Sequence, residues 1–232
     1  MDMEPPNESS HGIYPYPDNP RTPALALVPS HIRVLLDVGC AYGAFGAAVQ
    51  QRQPCEVWGI EPHQPAAEKA ALRLQHVLNT TIEKAIDQLP DQYFDCIVFN
   101  DVLEHLENPW LVLSRVRSKL GPSGRVVAII PNIRYFEIVN DLVLHGQWEY
   151  QESGILDRTH LRFFTKSTIG DLFRQSGYEL ERAEGIRGAR FPWKFRLLNL
   201  AFLGALNEMR YHEFGCVAAP LAPPQARQAR KR

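Results

Sequence analysis

The sequence has 232 residues, enough for one α/β domain with a sizeable core but too few for two full domains. Its 25 Lys and Arg residues and 26 Asp and Glu residues give a formal net charge of −1, so charge offers no argument for a nucleic-acid or membrane partner. The cysteines lack zinc-site spacing, the N-terminus lacks the pattern of a signal peptide, and no apolar stretch is long enough to cross a bilayer, which together predict a cytoplasmic protein.

The two ends of the chain are expected to lie outside the main domain, which we place at residues 31–219. Residues 1–30 are rich in proline, which argues against a packed element and predicts either a disordered leader or an arm or lid over a site. Tyr14 and Arg21 are unusual in an inert leader and are candidate substrate contacts. Residues 220–232, rich in Pro, Gln and Arg, are predicted to be a disordered tail.

The first strand is predicted at the apolar run that reaches Asp37 and then breaks into glycines. The pattern from Val34 to Gly46 is typical of a buried strand, a tight turn and the start of a helix, and open α/β sheets bind ligands at such turns. The spacing of Gly39 and Gly43 differs from the Gly-x-Gly-x-x-Gly pattern of dinucleotide sites. A cationic amino group, which needs carbonyl groups and a nearby acid, fits this loop better than a pyrophosphate. An ordinary strand-to-helix turn is the alternative.

Two further strands are expected to bring polar groups to the same edge of the sheet. Glu61 follows the second strand, at the distance from Asp37 where an acid accepts hydrogen bonds from both hydroxyls of a ribose. A solvated loop carboxylate is the alternative. The run 93–100 is a buried strand that delivers Asn100 and Asp101 to that edge.

Helix caps, apolar periodicity and breakers predict the other elements. Strands and helices alternate through residue 130, which indicates a parallel, doubly wound sheet with helices on both faces. The other predicted elements are a helix over 64–76, a short strand at 76–78, a helix capped by Asn108 and ended by Gly121, a strand at 124–130, a helix capped by Thr165 and ended by Gly177, strands at 178–185 and 211–218, and an apolar helix near 195–207.

Residues 131–164 depart from this alternation and are predicted to be an insertion that lines a pocket. The segment is rich in aromatic residues and histidines, among them Trp148, Tyr150 and His160. A ring-stacking wall for the substrate is one interpretation, and core packing is the other. The arginines that could bind a carboxylate or phosphate of the substrate, unless they are solvated or structural, are Arg21, Arg134, Arg158 and Arg162.

Three motifs beyond the glycine loop carry a resemblance to a known family. They are Asn100-Asp-Val-Leu-Glu-His105-Leu, Ile130-Pro-Asn132 and the run from Gly154 to Thr165. Together with the loop they resemble class I S-adenosylmethionine-dependent methyltransferases, in particular a subgroup associated with O-antigen, polysaccharide and natural-product biosynthesis. The resemblance covers residues 14–185 and implies a Rossmann-like fold whose seven-stranded sheet is mostly parallel, with an antiparallel last strand. It also implies S-adenosylmethionine as the cofactor and S-adenosylhomocysteine as its product.

The resemblance implies a role for each residue at the cofactor edge. The residues that would surround the methionine end of S-adenosylmethionine are Asp37, Gly39, Cys40, Ala41 and Gly43, with Asn100 and Asp101 after the fourth strand. Glu61, followed by Pro62, would hold the ribose, and Thr81 and Ile82 would lie beside the adenine. The family often has an acid where this chain has Thr81, which leaves the side-chain partner of the adenine amino group open, and a backbone carbonyl could serve instead.

Methyl transfer to a hydroxyl also needs a group that accepts the proton, and imidazole has a suitable pKa. His105 lies one helical turn after Asp101, so a helix there would pair the two as an oriented base. His160, which follows Asp157 closely, is favoured as the base on the substrate side. For either histidine, a purely structural role is the alternative. The predicted activity is O-methylation of a small molecule, such as a sugar, glycoconjugate or natural-product intermediate.

Three rival functions are weighed against this prediction. The glycine spacing and the lack of a Tyr-x-x-x-Lys pair disfavour an NAD(P)-dependent oxidoreductase. The intact cofactor motif disfavours a non-catalytic S-adenosylmethionine-binding protein. A nucleic-acid methyltransferase is disfavoured by the charge and by the lack of an Asn/Asp-Pro-Pro-Tyr/Phe loop. No metal is expected, although Asp101, Glu104 and His105 could ligate a divalent ion. The oligomeric state is left open.

Overall fold

The computed structural model describes residues 18–221, so Tyr14 and residues 222–232 of the predicted tail lie outside the described part. Its strands are β1 (Val34–Val38), β2 (Glu56–Ile60), β3 (His76–Leu78), β4 (Phe94–Asn100), β5 (Leu120–Pro131), β6 (Tyr178–Gly188) and β7 (Tyr211–Pro220). Its α-helices are α1 (Thr22–Leu27), α2 (Ala44–Arg52), α3 (Gln64–Ala70), α4 (Ile82–Ala85), α5 (Pro109–Val116), α6 (Phe136–Asn140), α7 (Lys166–Gln175) and α8 (Trp193–Ala201).

The strands form one sheet in the order β3-β2-β1-β4-β5-β7-β6. Strands β1 to β5 pair with one another in parallel, and β7 is antiparallel to both β5 and β6. The predicted fold class is therefore confirmed, including the antiparallel last strand. The strand order reverses between β1 and β4, where Val38 pairs with Phe99, so the loops after these two strands begin side by side. Open α/β sheets bind their ligands at such a reversal.

Buried residues on both faces of the sheet explain why the central strands are apolar along their length. Leu35 and Leu36 of β1 point to opposite faces, and both are fully buried. Leu36 belongs to the core beneath α4, α5 and α7, and Leu35 to the core beneath α1, α2 and α3. Burying one leucine contributes about 1.5–3 kcal/mol, so an unbroken apolar strand favours a sheet that is covered on both sides.

Polar caps fix the starts of two helices at the predicted residues. The side chain of Asn108 accepts a hydrogen bond of 3.0 Å from a backbone N–H in the first turn of α5, and Thr165 forms a capping box at the start of α7. Gly177, with φ +86°, follows α7 as predicted. The expected end of the earlier helix at Gly121 is wrong: α5 ends at Val116, and a 3₁₀ turn leads into β5 before the glycine is reached.

Helix α1 corrects the expectation that residues 1–30 contain no packed element. Its Ala24 and Leu27 are buried against β5 and β7. Gly215 of β7 leaves room for this contact, because a Cβ there would lie 2.5 Å from Leu27 Cδ1. Proline did not prevent the helix, since Pro23 occupies its first turn, where the missing N–H has no partner to lose.

The insertion after β5 forms a small layer of its own instead of another strand and helix. Helix α6 continues into a π-helical turn over Asp141–His145. Phe136 of α6 packs in an aromatic cluster that also receives Phe195 of α8. The opposite side of α8 is apolar and exposed, with 60% of Leu197 and 74% of Leu200 accessible. Within residues 18–221, no helix combines the length and the apolar character needed to cross a bilayer.

Candidate active site

The loop after β1 follows a path that glycine makes possible. Gly39, Ala41 and Gly43 have φ angles of +72°, +48° and +76°, all in the left-handed region. The backbone N–H of Gly39 donates to the Ile60 carbonyl at 2.8 Å, which ties the loop to β2. A Cβ on Gly39 would lie 2.7 Å from Val102 Cγ2. Glycine at position 39 therefore lets this loop touch the segment that follows β4.

Asp37 brings a carboxylate to the loop from inside β1. The residue is 1% exposed, and its Oδ2 atom has no hydrogen-bond partner among the described residues. Burial raises the pKa of Asp37 to about 8, the negative charge of Glu61 adds to the increase, and the positive charge of Arg21 opposes it. A buried carboxylate oxygen without a hydrogen-bond partner is unfavourable, so Asp37 is suited to bind a cationic group of a ligand.

Glu61 joins three of the loops at this edge through its carboxylate and its backbone carbonyl. It is 2% exposed, and its two carboxylate oxygens accept hydrogen bonds of 2.9 Å from the backbone N–H groups of Ala41 and His63. The amide of Asn79, after β3, donates to the Glu61 carbonyl at 2.8 Å. Glu61 thus holds the glycine loop in place, and its predicted contact with a ribose stays a prediction.

The other cofactor candidates lie around the same loops. Thr81 is the N-cap residue of α4, and Ile82, the first residue of that helix, is 3% exposed in the core. Cys40 is buried in the loop, and Gly59 of β2 makes room for its sulfur, because a Cβ on Gly59 would lie 2.6 Å away. Burial also raises the pKa of this thiol. Pro62 is exposed directly after the buried acid. The loops after β1, β2 and β3 therefore meet at one edge.

Strand β4 delivers Asn100 and Asp101 next to the glycine loop. Asn100 Oδ1 is buried and lacks a hydrogen-bond partner within the described range, and Asp101 has a φ of +56°. The Asp101 carboxylate is bound by the guanidinium of Arg21, at the start of α1. Burial raises the pKa of Asp101, and the Arg21 charge opposes this. Arg21 thus reaches the candidate site, where it binds a carboxylate of the protein itself.

A second ion pair beside Asp101 escaped the sequence analysis. Arg187 Nη1 of β6 lies 3.0 Å from Glu213 Oε1 of β7, and the Glu213 side chain is 8% exposed. The Glu213 charge raises the pKa of Asp101, and the Arg187 charge lowers it. The antiparallel register of β6 and β7 sets this contact, because Ile186 is paired with Glu213. No local sequence pattern could have indicated it.

A cluster of Glu104, His105 and His160 lies beyond β4. Glu104 is on a single 3₁₀ turn and is 1% exposed, and neither of its carboxylate oxygens has a hydrogen-bond partner among residues 18–221. Burial, with a further contribution from the Asp101 charge, raises the pKa of Glu104 well above its usual value. Its backbone carbonyl accepts hydrogen bonds of 2.9 and 3.0 Å from two consecutive N–H groups of the insertion. The insertion is therefore fixed to this turn.

The two imidazoles of the cluster are held by oxygens of the insertion. His160 Nδ1 lies 3.0 Å from the Ile155 carbonyl oxygen. Because a carbonyl only accepts, Nδ1 donates in this contact, and Nε2, which carries the lone pair of a neutral imidazole, lies 4.0 Å from Glu104 Oε1. His105 Nδ1 lies 3.3 Å from the carbonyl and 3.2 Å from the hydroxyl oxygen of Thr159, and the rings are 4.7 Å apart. Burial lowers the pKa of His105, as does the neighbouring His160.

The acids that precede the two histidines in the sequence bind other groups of the protein. The Asp157 carboxylate accepts hydrogen bonds from the N–H and hydroxyl of Thr159, at 2.8 and 2.6 Å, and a carbonyl orients His160. Asp101 binds an arginine, and the segment before His105 is a 3₁₀ turn instead of the α-helix that would align the two. His160 does pin the insertion through a hydrogen bond, and its catalytic role stays a prediction.

The predicted substrate contacts of the insertion lie at its surface. Arg158 pairs with an exposed glutamate at 2.5 Å, and Arg162 donates to a backbone carbonyl. Trp148 packs edge-to-face against Phe163, with ring centroids 5.5 Å apart, and Tyr150 is 54% exposed. The observed partners of Arg158 and Arg162 are thus surface groups of the protein, which shows no preformed anion site between these two arginines.

Comparisons with known proteins identify the family. A family model described as "Methyltransferase domain" matches residues 16–183, most of the chain. Among curated proteins, an "uncharacterized methyltransferase" of Mycobacterium tuberculosis is 31% identical over 116 residues, which are 47% of this chain and 57% of that protein. The chain therefore matches little more than half the length of that relative.

Solved structures agree in fold. A SAM-dependent methyltransferase from Archaeoglobus fulgidus has a TM-score of 0.61 and 19% identity, over 81% of this chain and 86% of the other. The 1,6-didemethyltoxoflavin-N1-methyltransferase of Burkholderia thailandensis, solved with S-adenosylhomocysteine, has a TM-score of 0.57 and 16% identity, over 89% and 80%. At sequence identities of 19% and 16%, the structural similarity establishes the fold of this chain and no more. Since the family match spans most of the chain, the protein belongs to the methyltransferase-domain family and has the fold of S-adenosylmethionine-dependent methyltransferases.

Proposed function

We propose that the protein transfers a methyl group from S-adenosylmethionine to a hydroxyl group of a small molecule. The family and the fold support the cofactor, as does the neighbour solved with S-adenosylhomocysteine. The observation that carries the choice of acceptor is the pair of imidazoles, His105 and His160, beside the end of β4. Imidazole is well suited to take a proton from a hydroxyl near neutral pH.

The groups at the glycine loop fit S-adenosylmethionine. Asp37 Oδ2, without a partner inside the described range, suits the ammonium of the methionine moiety, and the buried Asn100 Oδ1 adds a second acceptor. Glu61 fixes the loop through Ala41, and in this proposal its carboxylate accepts the ribose hydroxyls. When bound, the cofactor supplies a methyl carbon that its sulfonium has already activated. The protein then has to align the acceptor and exclude water.

The groups beyond β4 suit the acceptor. His160 is fixed with Nδ1 protonated, so its Nε2 can accept the hydroxyl proton. His105, which is less buried than His160, adds a second imidazole from the 3₁₀ turn that carries Glu104. This turn follows Asn100 closely in the chain, so the donor and acceptor halves of the candidate site are neighbours.

For the acceptor we favour a sugar, glycoconjugate or natural-product intermediate. Ring faces in the insertion support this class, because Tyr150 is exposed and Trp148 lies at the surface of the same loop. A net charge of −1 gives no support for a nucleic-acid substrate. The cytoplasmic location stays a prediction from the sequence.

Calorimetry with S-adenosylmethionine and, separately, with NAD tests the choice of cofactor. We expect S-adenosylmethionine to bind and NAD not to bind, because the glycine spacing of the loop does not suit a pyrophosphate. Binding of NAD alone would contradict the proposal and favour an oxidoreductase. Incubation with a labelled methyl donor and a panel of hydroxyl-bearing small molecules then identifies the acceptor.

Replacing His160 with alanine tests the acceptor side. We expect turnover to fall by at least about 100-fold, the usual contribution of a positioned general base, while the affinity for S-adenosylmethionine changes by less than about threefold. Initial rates and calorimetry measure the two quantities. His145→Ala, at an exposed position in the π-helical turn, is the control and should leave both unchanged. Unchanged turnover in His160→Ala would limit His160 to a structural role.

A further inference from the structure

Glu104 is a buried acid that the proposed methyl transfer does not use. It is 1% exposed, and both of its carboxylate oxygens lack a hydrogen-bond partner among the residues that the structure describes. An isolated buried carboxylate is strongly destabilising unless a proton, a hydrogen-bond donor or a cation compensates for its lost hydration. Its position next to the two imidazoles suggests what that compensating group is.

The surroundings of the imidazoles are those of metal-binding histidines. In metal sites, the ring nitrogen that faces away from the metal commonly donates to a carbonyl or carboxylate, which fixes the tautomer. His160 Nδ1 donates to the Ile155 carbonyl, and its Nε2 lone pair faces Glu104. His105 Nδ1 is likewise engaged by oxygens of Thr159.

The three donor atoms lie near one another, at separations longer than those of ligands on a bound metal. One donor atom from each of Glu104, His105 and His160 lies within 4.8 Å of the other two, and the His160 Nε2 to Glu104 Oε1 distance is 4.0 Å. Three ligands bound about 2.1 Å from one metal in the tetrahedral arrangement of zinc sites are about 3.4 Å from one another. Side-chain rotations that shorten the separations by at most about 1.4 Å would therefore bring all three donors into one coordination sphere.

We propose that Glu104, His105 and His160 bind a divalent transition-metal cation of the Zn²⁺ or Mn²⁺ type. Two imidazole nitrogens and one carboxylate favour such a metal over Ca²⁺ and Mg²⁺, which prefer oxygen ligands only. This inference rests on the proposed O-methyl transfer for its role. A cation there would bind the acceptor hydroxyl and lower its pKa, so that the hydroxyl would release its proton to water, and the two imidazoles would serve as metal ligands instead of bases. The insertion contributes His160 and so completes the site.

Metal titration of the full-length protein tests the site. After removal of metals with a chelator and dialysis, calorimetry with Zn²⁺ and with Mn²⁺ should show one site per chain for at least one of them, and the melting temperature should rise with that metal. His160→Ala and His105→Ala should each weaken this binding by more than about tenfold. His145→Ala, which removes an exposed histidine outside the cluster, should bind as the wild type does.

Glu104→Gln supplies an independent test, because it keeps the shape of the side chain and removes its charge. In the absence of metal this variant should be at least as thermostable as the wild type, and added metal should no longer raise its melting temperature. A wild-type protein that binds neither metal would overturn the proposal. So would cluster variants that bind metal as tightly as His145→Ala does.

The outcomes separate the metal site from the proposed function. If the wild type binds S-adenosylmethionine but no metal, the metal site is refuted and the methyltransferase proposal stands. If it binds metal at the cluster but not S-adenosylmethionine, the metal site stands and the proposed reaction is refuted. If it binds both, chelation should reduce turnover without changing the affinity for S-adenosylmethionine, and the titrating metal should restore turnover.

Discussion

Asp37 is a carboxyl group whose folded environment opposes its charge. Burial raises its pKa from 3.8 to about 8. Over this range the folded protein holds a proton that the unfolded chain releases, so the free energy of unfolding falls as the pH rises from about 4 to about 8, and the effect levels off above that. The acid that we assign to cofactor binding therefore lowers the stability of the ligand-free protein at neutral pH.

Replacing Asp37 with asparagine should reverse this loss. We expect Asp37→Asn to raise the free energy of unfolding at pH 8 by about 1–3 kcal/mol, to raise it less at pH 5, and to weaken S-adenosylmethionine binding. Urea denaturation at both pH values and calorimetry provide the measurements. The control is Asp171→Asn, which alters a carboxylate on α7 that is about half exposed. This variant should change the free energy of unfolding by the same amount at both pH values. An equal gain from Asp37→Asn at both pH values would mean that charge burial is not its cause.

At the scale of elements, α5 depends on the hydrogen bond at its start. Asn108 accepts from a backbone N–H that would otherwise have no partner within the helix. We expect Asn108→Ala to lower the free energy of unfolding by about 1 kcal/mol and Asn108→Asp, which keeps the acceptor, to have little effect. Chemical denaturation of both variants measures this. If the aspartate variant is as unstable as the alanine variant, the acceptor oxygen is not what stabilises α5.

Helix α1 depends on one leucine side chain. Leu27 is 6% exposed and fills the space that Gly215 leaves open on β7. Leu27→Ala should therefore lower the free energy of unfolding by about 2–4 kcal/mol, whereas Thr22→Ala, at an exposed position of the same helix, should change it by less than about 0.5 kcal/mol. Thermal and urea unfolding provide the comparison. Similar values for the two variants would show that α1 is not packed as described.

Across the whole molecule, the features that could be predicted from the sequence are those specified by residues close together in the chain. The glycine loop, the cap at Asn108 and the apolar strands are each specified by neighbouring residues, and all were located. Contacts between segments that are distant in the sequence could not be predicted, because they depend on how the sheet is assembled. Arg21 reaches Asp101 across 80 positions of sequence, and the ion pair to Glu213 needs the antiparallel register of β6 and β7.

The absence of a side chain at Gly39 has a consequence for how ligands bind. Its Cα faces Val102, where a Cβ would lie 2.7 Å from Cγ2, so the loop after β1 and the turn toward His105 touch at this point. A ligand that stiffens one of these segments must also limit the motion of the other. We therefore expect the first ligand to bind to raise the affinity for the second, by the same factor in either order, as thermodynamic linkage demands.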